Sequence, residues 1–318
     1  MPLRRDRLAR RRRRNAAQTL LILAGLVISL SVPGYLLAGP GGVMLCLAAV
    51  TLATLVSGWL PARVILAQAG AGILAPAQAP ALYRVVARLY ERAGLERAPR
   101  LYYSPTPELN AFAVGHREDG GIAVTEGLLR TLTLRELAGV LAHEVSHLRH
   151  GDTRVMSIAA AMTRLTLWLA TAIQLAILIS LPLVIAGELR FPWLALLLVA
   201  LAPTASTLLS LALSRQREHA ADLEAVDLTG DPRGLASALA ALERHQGRWL
   251  SSLFGRHRPV ALPWLRTHPD TRERIRRLAE LDDVAEAPDP LAAETLEARP
   301  TMPRRPPPLR RRDWLRRR

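Results

Sequence analysis

The chain of 318 residues is half hydrophobic but only 4% aromatic, has a single cysteine, Cys46, and carries a formal net charge of +15. Its mean hydropathy of +0.15 excludes a disordered chain, and one cysteine excludes a disulfide scaffold or a cysteine-based metal cluster. Of the net charge, +14 sits in the two ends, residues 1–14 and 301–318, each with eight arginines and one aspartate; a nucleic-acid-binding fold shows its basic residues on the folded surface, so these ends suit anionic lipid and no specific nucleic acid.

In chain order, residues 1–15 form a basic leader and residues 16–60 read as a transmembrane hairpin. Its apolar runs, about Ala16 to Ala38 and Val43 to Leu60, are long enough to cross a bilayer, which takes roughly 20 helical residues. The turn between them, Gly39-Pro40-Gly41-Gly42, has no charge. A signal peptide competes as a reading of the first run, but no small-x-small cleavage site stands out and a second span follows at once.

Residues 61–164 read as the first part of a catalytic domain. Within it, Leu82, Val85, Val86 and Leu89 share one helical face in residues 78–94, and Gly94 is a stop signal. Pro99 to Tyr103 reads as a strand. Asn110 to Gly115 and Ile122 to Thr125 flank a polar turn with Asp119-Gly120-Gly121, a hairpin signal. Glu126 to Thr131 reads as a short helix. Thr133 and Glu136 match a capping box that opens a helix running through Leu148.

Residues 165–214 hold a second transmembrane hairpin, Leu165 to Gly187 and Phe191 to Ser214; two buried core helices are the competing reading. Residues 215–284 form the second part of the catalytic domain. Three helices are expected there, to about Gly230, from Pro232 to about Gln246, and from Pro269 to about Leu281. The tail 285–318, rich in Pro, Glu, Ala and Arg, is expected to be disordered. Arginines flank the spans at Arg4 to Arg14, Arg63, Arg84, Arg88, Arg149, Arg154, Arg164, Arg215 and Arg217. By the positive-inside rule they put the N-terminus and both catalytic parts in the cytosol.

The sharpest chemical feature is His143-Glu144-Val145-Ser146-His147. On a helix, i and i+4 share a face, so both imidazoles can bind one metal ion. Glu144 lies about 100° round and can take a proton from water held there, the arrangement of a zinc peptidase. A catalytic zinc commonly takes three protein ligands and keeps one position open. Glu218 is the candidate third donor, because a membrane hairpin returns the chain to the side it left. Ordinarily an Arg-flanked Glu is a solvated helix charge, and His219 is a rival donor on another face. Asp222, one turn beyond Glu218, suits a partner for a ligand imidazole. Asp152 reads as fixing the end of the His143 helix. Asn110, Ala111 and Phe112 suit an edge strand that pairs with substrate backbone, or an ordinary hairpin strand. His268 suits either oxyanion stabilisation or a helix cap.

These blocks resemble the HtpX-type membrane metalloproteases, within the larger family that includes the CAAX prenyl endopeptidases. The resemblance spans roughly residues 20–284. It rests on Asn110-Ala111-Phe112, the run from His143 to Asp152, Ser214 to Asp222, and Thr267 to Ile275. It implies an α+β, mostly helical membrane protein with about four transmembrane helices and a gluzincin-like zinc-peptidase domain. It also implies one zinc ion on His143, His147 and Glu218, with Glu144 as the catalytic base. The implied activity is endoproteolysis of membrane or misfolded proteins at the cytosolic face of the cell membrane. His219 departs from the pattern, where an aromatic residue is expected, and so do both Arg-rich ends. A non-catalytic membrane scaffold with a vestigial metal site, and a prenyl-protein endopeptidase, are the alternatives; four spans are few for the large intramembrane chamber of the latter.

Overall fold

The computed structural model describes residues 2–58, 66, 69–96, 100–114, 121–187, 193–252 and 271–282. The expectations for the turn at 115–120, for His268 and for the tail 285–318 lie outside these residues. The elements are α1 (Pro2–Gly58), β1 (Gly72–Ile73), α2 (Pro80–Ala93), β2 (Arg100–Ser104), β3 (Ala111–Val114), β4 (Gly121–Thr125), α3 (Glu126–Thr131), α4 (Leu134–His150), α5 (Asp152–Ile185), α6 (Trp193–Thr229), α7 (Pro232–Ser252) and α8 (Thr271–Asp282). The chain divides into two compact units, Met1–Leu60 with Thr153–Arg217, and Pro61–Asp152 with Glu218–Arg318.

The first unit is built of long apolar helices. Helix α1 breaks at Ala38 and Gly39, and Gly39 takes a left-handed φ of +59°. A Cβ on Gly34 would meet the Cys46 sulfur at 2.8 Å, and one on Gly42 would meet the Gly34 carbonyl oxygen at 1.9 Å. In a straight helix, residues as far apart as Gly34 and Cys46 would be separated by about 18 Å. The chain therefore folds back at the break, and only glycine lets the two arms approach so closely. Leu26 and Leu30 of one arm pack with Cys46 and Val50 of the other, and with Ala159, Met162 and Leu213. Ser29 donates to the Ala202 carbonyl (2.9 Å) and Ser206 to Thr163 (3.2 Å), so these hydroxyls are satisfied between helices. Among the described residues, three helices are long and apolar enough to cross a membrane, at Ala16–Leu52, Asp152–Ile185 and Trp193–Thr229. The four apolar runs read from the sequence thus correspond to three continuous elements, one of them doubled back. Their outer faces expose Ile179, Ile185 and Leu194, as lipid-facing surfaces do.

The second unit is α+β. Its sheet has the order β1-β2-β4-β3; β2 and β4 are parallel, and the other pairs are antiparallel. Both faces of β4 are buried. One face of the sheet packs Leu101, Tyr103, Ile122 and Val124 against the apolar stripe of α2 and against α4. Burying each such large side chain contributes about 1.5–3 kcal/mol. Gly94 ends α2 at a φ of +66°. The other face of the sheet holds Phe112 and Ala123 against Leu66 and Ala71.

Helix α4 is fixed at both ends. Thr133 accepts from the Glu136 amide, and the Glu136 side chain accepts from the Thr133 amide at 2.8 Å. At the other end Gly151 adopts a φ of +64°. A Cβ on Gly139 would lie 2.9 Å from Leu235 Cα, so α7 crosses α4 at bare backbone. Beside that crossing Arg135 donates twice to Asp231 (2.5 and 2.7 Å), and Asp231 accepts the Gly234 amide at the start of α7 (3.0 Å). Burial opposes the charged Asp231 carboxylate, but Arg135 and the Gly234 amide outweigh it and hold its pKa below the ordinary range.

Candidate metal centre

His143 and His147 lie one turn apart on α4, and their rings meet edge to face with centroids 4.7 Å apart. The two Nε2 atoms are 3.1 Å from each other. Each ring is held from behind. His143 Nδ1 lies 3.0 Å from Asp222 Oδ1, and His147 Nδ1 lies 2.8 Å from Asp152 Oδ2. Each carboxylate accepts a hydrogen bond from Nδ1–H, the tautomer that leaves the Nε2 lone pairs free for a metal ion. Glu218 of α6 completes the group: its Oε2 is 3.3 Å from His143 Nε2, and its Oε1 is 3.8 Å from His147 Nε2.

This donor set fits a divalent cation on three grounds. First, donors bound at about 2.0–2.2 Å to one tetrahedral ion lie roughly 3.3–3.6 Å apart. The donor atoms of His143, His147 and Glu218 all fall within 4.8 Å of one another. Second, the two Nε2 atoms stand 3.1 Å apart, a separation that calls for a proton or a metal ion between them. Third, four buried carboxylates, those of Glu144, Asp152, Glu218 and Asp222, surround the group, against one buried guanidinium, Arg274. Buried anions in that excess need a counter-charge. His143 registers the same demand. Burial disfavours its imidazolium and Arg274 repels it, yet the Asp222 and Glu218 carboxylates raise its pKa to about 10.

Arg274 was not singled out as a functional residue by the sequence reading. From α8 it donates to both Asp222 oxygens (2.7 and 2.6 Å), and its Nη1 lies 3.1 Å from Glu218 Oε2. One guanidinium thus braces the third donor and the partner of His143. Burial opposes its charge, but Asp222 and Glu218 outweigh that and raise its pKa further. A sequence signal existed: Arg274 lies four residues before the buried Leu278, on the apolar stripe of an otherwise charged helix. Asp152, expected to fix a helix end, is the acidic first residue of α5, and the left-handed Gly151 turns the chain so that it also meets the His147 ring.

Glu144, next to His143 on α4, reaches β3, where its Oε2 accepts the Ala113 amide at 3.1 Å. Strand β3 is an edge of the sheet. Asn110 precedes it, with its amide on Thr125 Oγ1 and its carbonyl accepting the Thr125 amide. Ala111 lies within the strand, and Phe112 is buried against Leu66 and Ala71. What this segment offers a ligand is therefore backbone, not the Phe112 ring. Behind the site, Glu224 of α6 takes Arg149 (2.5 Å), His150 (3.1 Å) and Ser146 (3.4 Å) from α4, which ties the two donor helices together. His219 is half-buried and lies outside the donor group.

The family model for peptidase family M48 matches residues 76–282. A protein described as a protease HtpX homolog from Acaryochloris marina (strain MBIC 11017) is 38% identical over 84% of this chain and 93% of its own length. Another so described, from Acidiphilium cryptum (strain JF-5), is 36% identical over 84% of this chain and 96% of its own. A third, from Pyrococcus furiosus, is 34% identical over 81% of this chain and 92% of its own. Among solved structures, the crystal structure of S. mikatae Ste24p matches at 21% identity with a TM-score of 0.41, over 65% of this chain and 50% of that one.

Proposed function

This chain belongs to peptidase family M48, in the HtpX-type branch, and we propose that it is a zinc endopeptidase of the cytoplasmic membrane, cleaving membrane or misfolded proteins at the cytosolic face. His143, His147 and Glu218 would hold the ion. The chemistry that zinc supplies in such a site is Lewis-acid polarisation of a carbonyl and a lowered pKa for water, toward about 7. Glu144 acts as general base on the attacking water and returns the proton to the leaving amine. Asp222 and Asp152 keep both imidazoles in the tautomer that presents Nε2, and Arg274 fixes Glu218 and Asp222. His268 stabilises the oxyanion. Asn110, Ala111 and Phe112 present a strand edge along which an extended polypeptide pairs. The Arg-rich ends meet anionic lipid.

The observation that carries this reading is the convergence of two imidazoles and a carboxylate, with a second carboxylate, Glu144, bonded to the sheet edge next to them. The test is metal analysis and casein cleavage by purified protein, wild type against Glu144→Gln, with a chelator control. Wild type should contain about one zinc per chain and cleave, while Glu144→Gln keeps zinc and loses cleavage. An active Glu144→Gln protein refutes the mechanism.

A further inference from the structure

The hydrogen-bonding register of β3 assigns an additional task to its backbone. Thr125 donates its amide to the Asn110 carbonyl, and Phe112 and Val114 are aligned with Ala123 and Gly121. In an antiparallel ladder, alternate residues bond the neighbouring strand and those between point away. Residues 110, 112 and 114 therefore bond β4, while Ala111 and Ala113 direct their amides and carbonyls to the free edge. Of those groups the Ala113 amide is already committed, since it donates to Glu144 Oε2 at 3.1 Å. Glu144 is itself buried, which makes the bond to a charged acceptor a strong one.

We propose that Ala113 is a positioning residue whose outward amide holds the Glu144 carboxylate at the end of the strand edge. The edge that pairs with a polypeptide and the group that moves the proton are thereby one rigid piece. The arrangement also sets register. A substrate strand has the Ala111 amide, the Ala111 carbonyl and the Ala113 carbonyl available, and finds Glu144 where the next donor would be. The ladder ends there, so the scissile bond comes to rest beside the base. This rests on the peptidase reading given above and deepens it.

Ala113→Pro removes the donor without touching the ladder to β4, and an edge strand tolerates proline where the amide is off the ladder. The residue before it, Phe112, is already extended, as a following proline requires. With full-length, metal-loaded protein and a casein-derived reporter peptide, kcat should fall by about tenfold to a hundredfold. KM and bound metal should stay as in wild type, and Ala113→Gly, which keeps the amide, should restore most of the kcat that the proline variant loses. Should the proline variant fail to fold, an amide-to-ester replacement at position 113 repeats the test with the same expectation. A raised KM with kcat retained would overturn the proposal, because it makes position 113 a substrate contact only.

A second readout needs no turnover. Hydrogen exchange of the Ala113 amide in the metal-loaded protein should be about tenfold faster in Glu144→Ala than in wild type. Equal exchange rates sink the proposal even if the enzyme is fully active. Conversely, slow exchange in a wild-type protein that cleaves nothing would count against the peptidase reading and leave the bond between Ala113 and Glu144 standing.

Discussion

Each imidazole of the centre has its own carboxylate behind it, and the two carboxylates differ in how many tasks they perform. Asp152 serves His147, whereas Asp222 serves His143 and Arg274 together. Asp152→Asn should therefore lower metal affinity by about 10–100-fold with little loss of fold, measured by competition with a chromophoric chelator. Arg274→Ala leaves two buried carboxylates facing each other and should cost about 3–5 kcal/mol of stability, measured by denaturant unfolding in detergent. Arg274→Lys should not restore it, because an ammonium cannot make the forked contact to Asp222. The sequence made His143, Glu144 and His147 legible because one helical turn relates them. Arg274 and the bond of Asp152 to His147 were not, since the first depends on packing between distant helices and the second on a left-handed glycine.

Helix α4 carries His143, Glu144 and His147, so its ends and its packing are the structural supports of the candidate site. Thr133→Ala removes half of the capping box and should lower stability by about 1 kcal/mol, read as a lower thermal midpoint. Gly139→Val forces a branched side chain into the Leu235 backbone and should cost about 1–3 kcal/mol. Asp231, whose pKa is lowered in the fold, contributes stability that is fully present above its unfolded pKa of about 3.9. That contribution is lost as the pH falls through the lowered value. Thermal midpoints measured from pH 7 downward should thus converge for wild type and Asp231→Asn in acid and diverge toward neutrality. Elements with local signals were readable: α2 from its stripe and Gly94, α4 from its capping box, β3 and β4 from a hairpin pattern. Strand β1 was not, having only two residues, and neither was the parallel pairing of β2 with β4, which no short turn announces.

For the whole chain, charge predicts orientation and the donor set predicts metal dependence. A reporter fused after Val284 should be found in the cytosol, and deleting residues 1–14 should disturb insertion more than cleavage, scored by reporter accessibility and by casein hydrolysis of the inserted fraction. Stripping the ion with chelator should lower the thermal midpoint. An ion present at about a thousand times its Kd stabilises by about 4 kcal/mol, and restoring it should bring the midpoint back. The centre draws on residues 143–152, on 218–222 and on Arg274, three stretches far apart in the order of synthesis. A nascent chain that has just delivered the His143 helix from the ribosome carries a lone pair of imidazoles and cannot cut. The group that includes Arg274 is complete only once translation has passed α8, by which time the apolar stretches of α1, α5 and α6 have already left the ribosome. The insertion machinery is thus never exposed to a working protease tethered inside it.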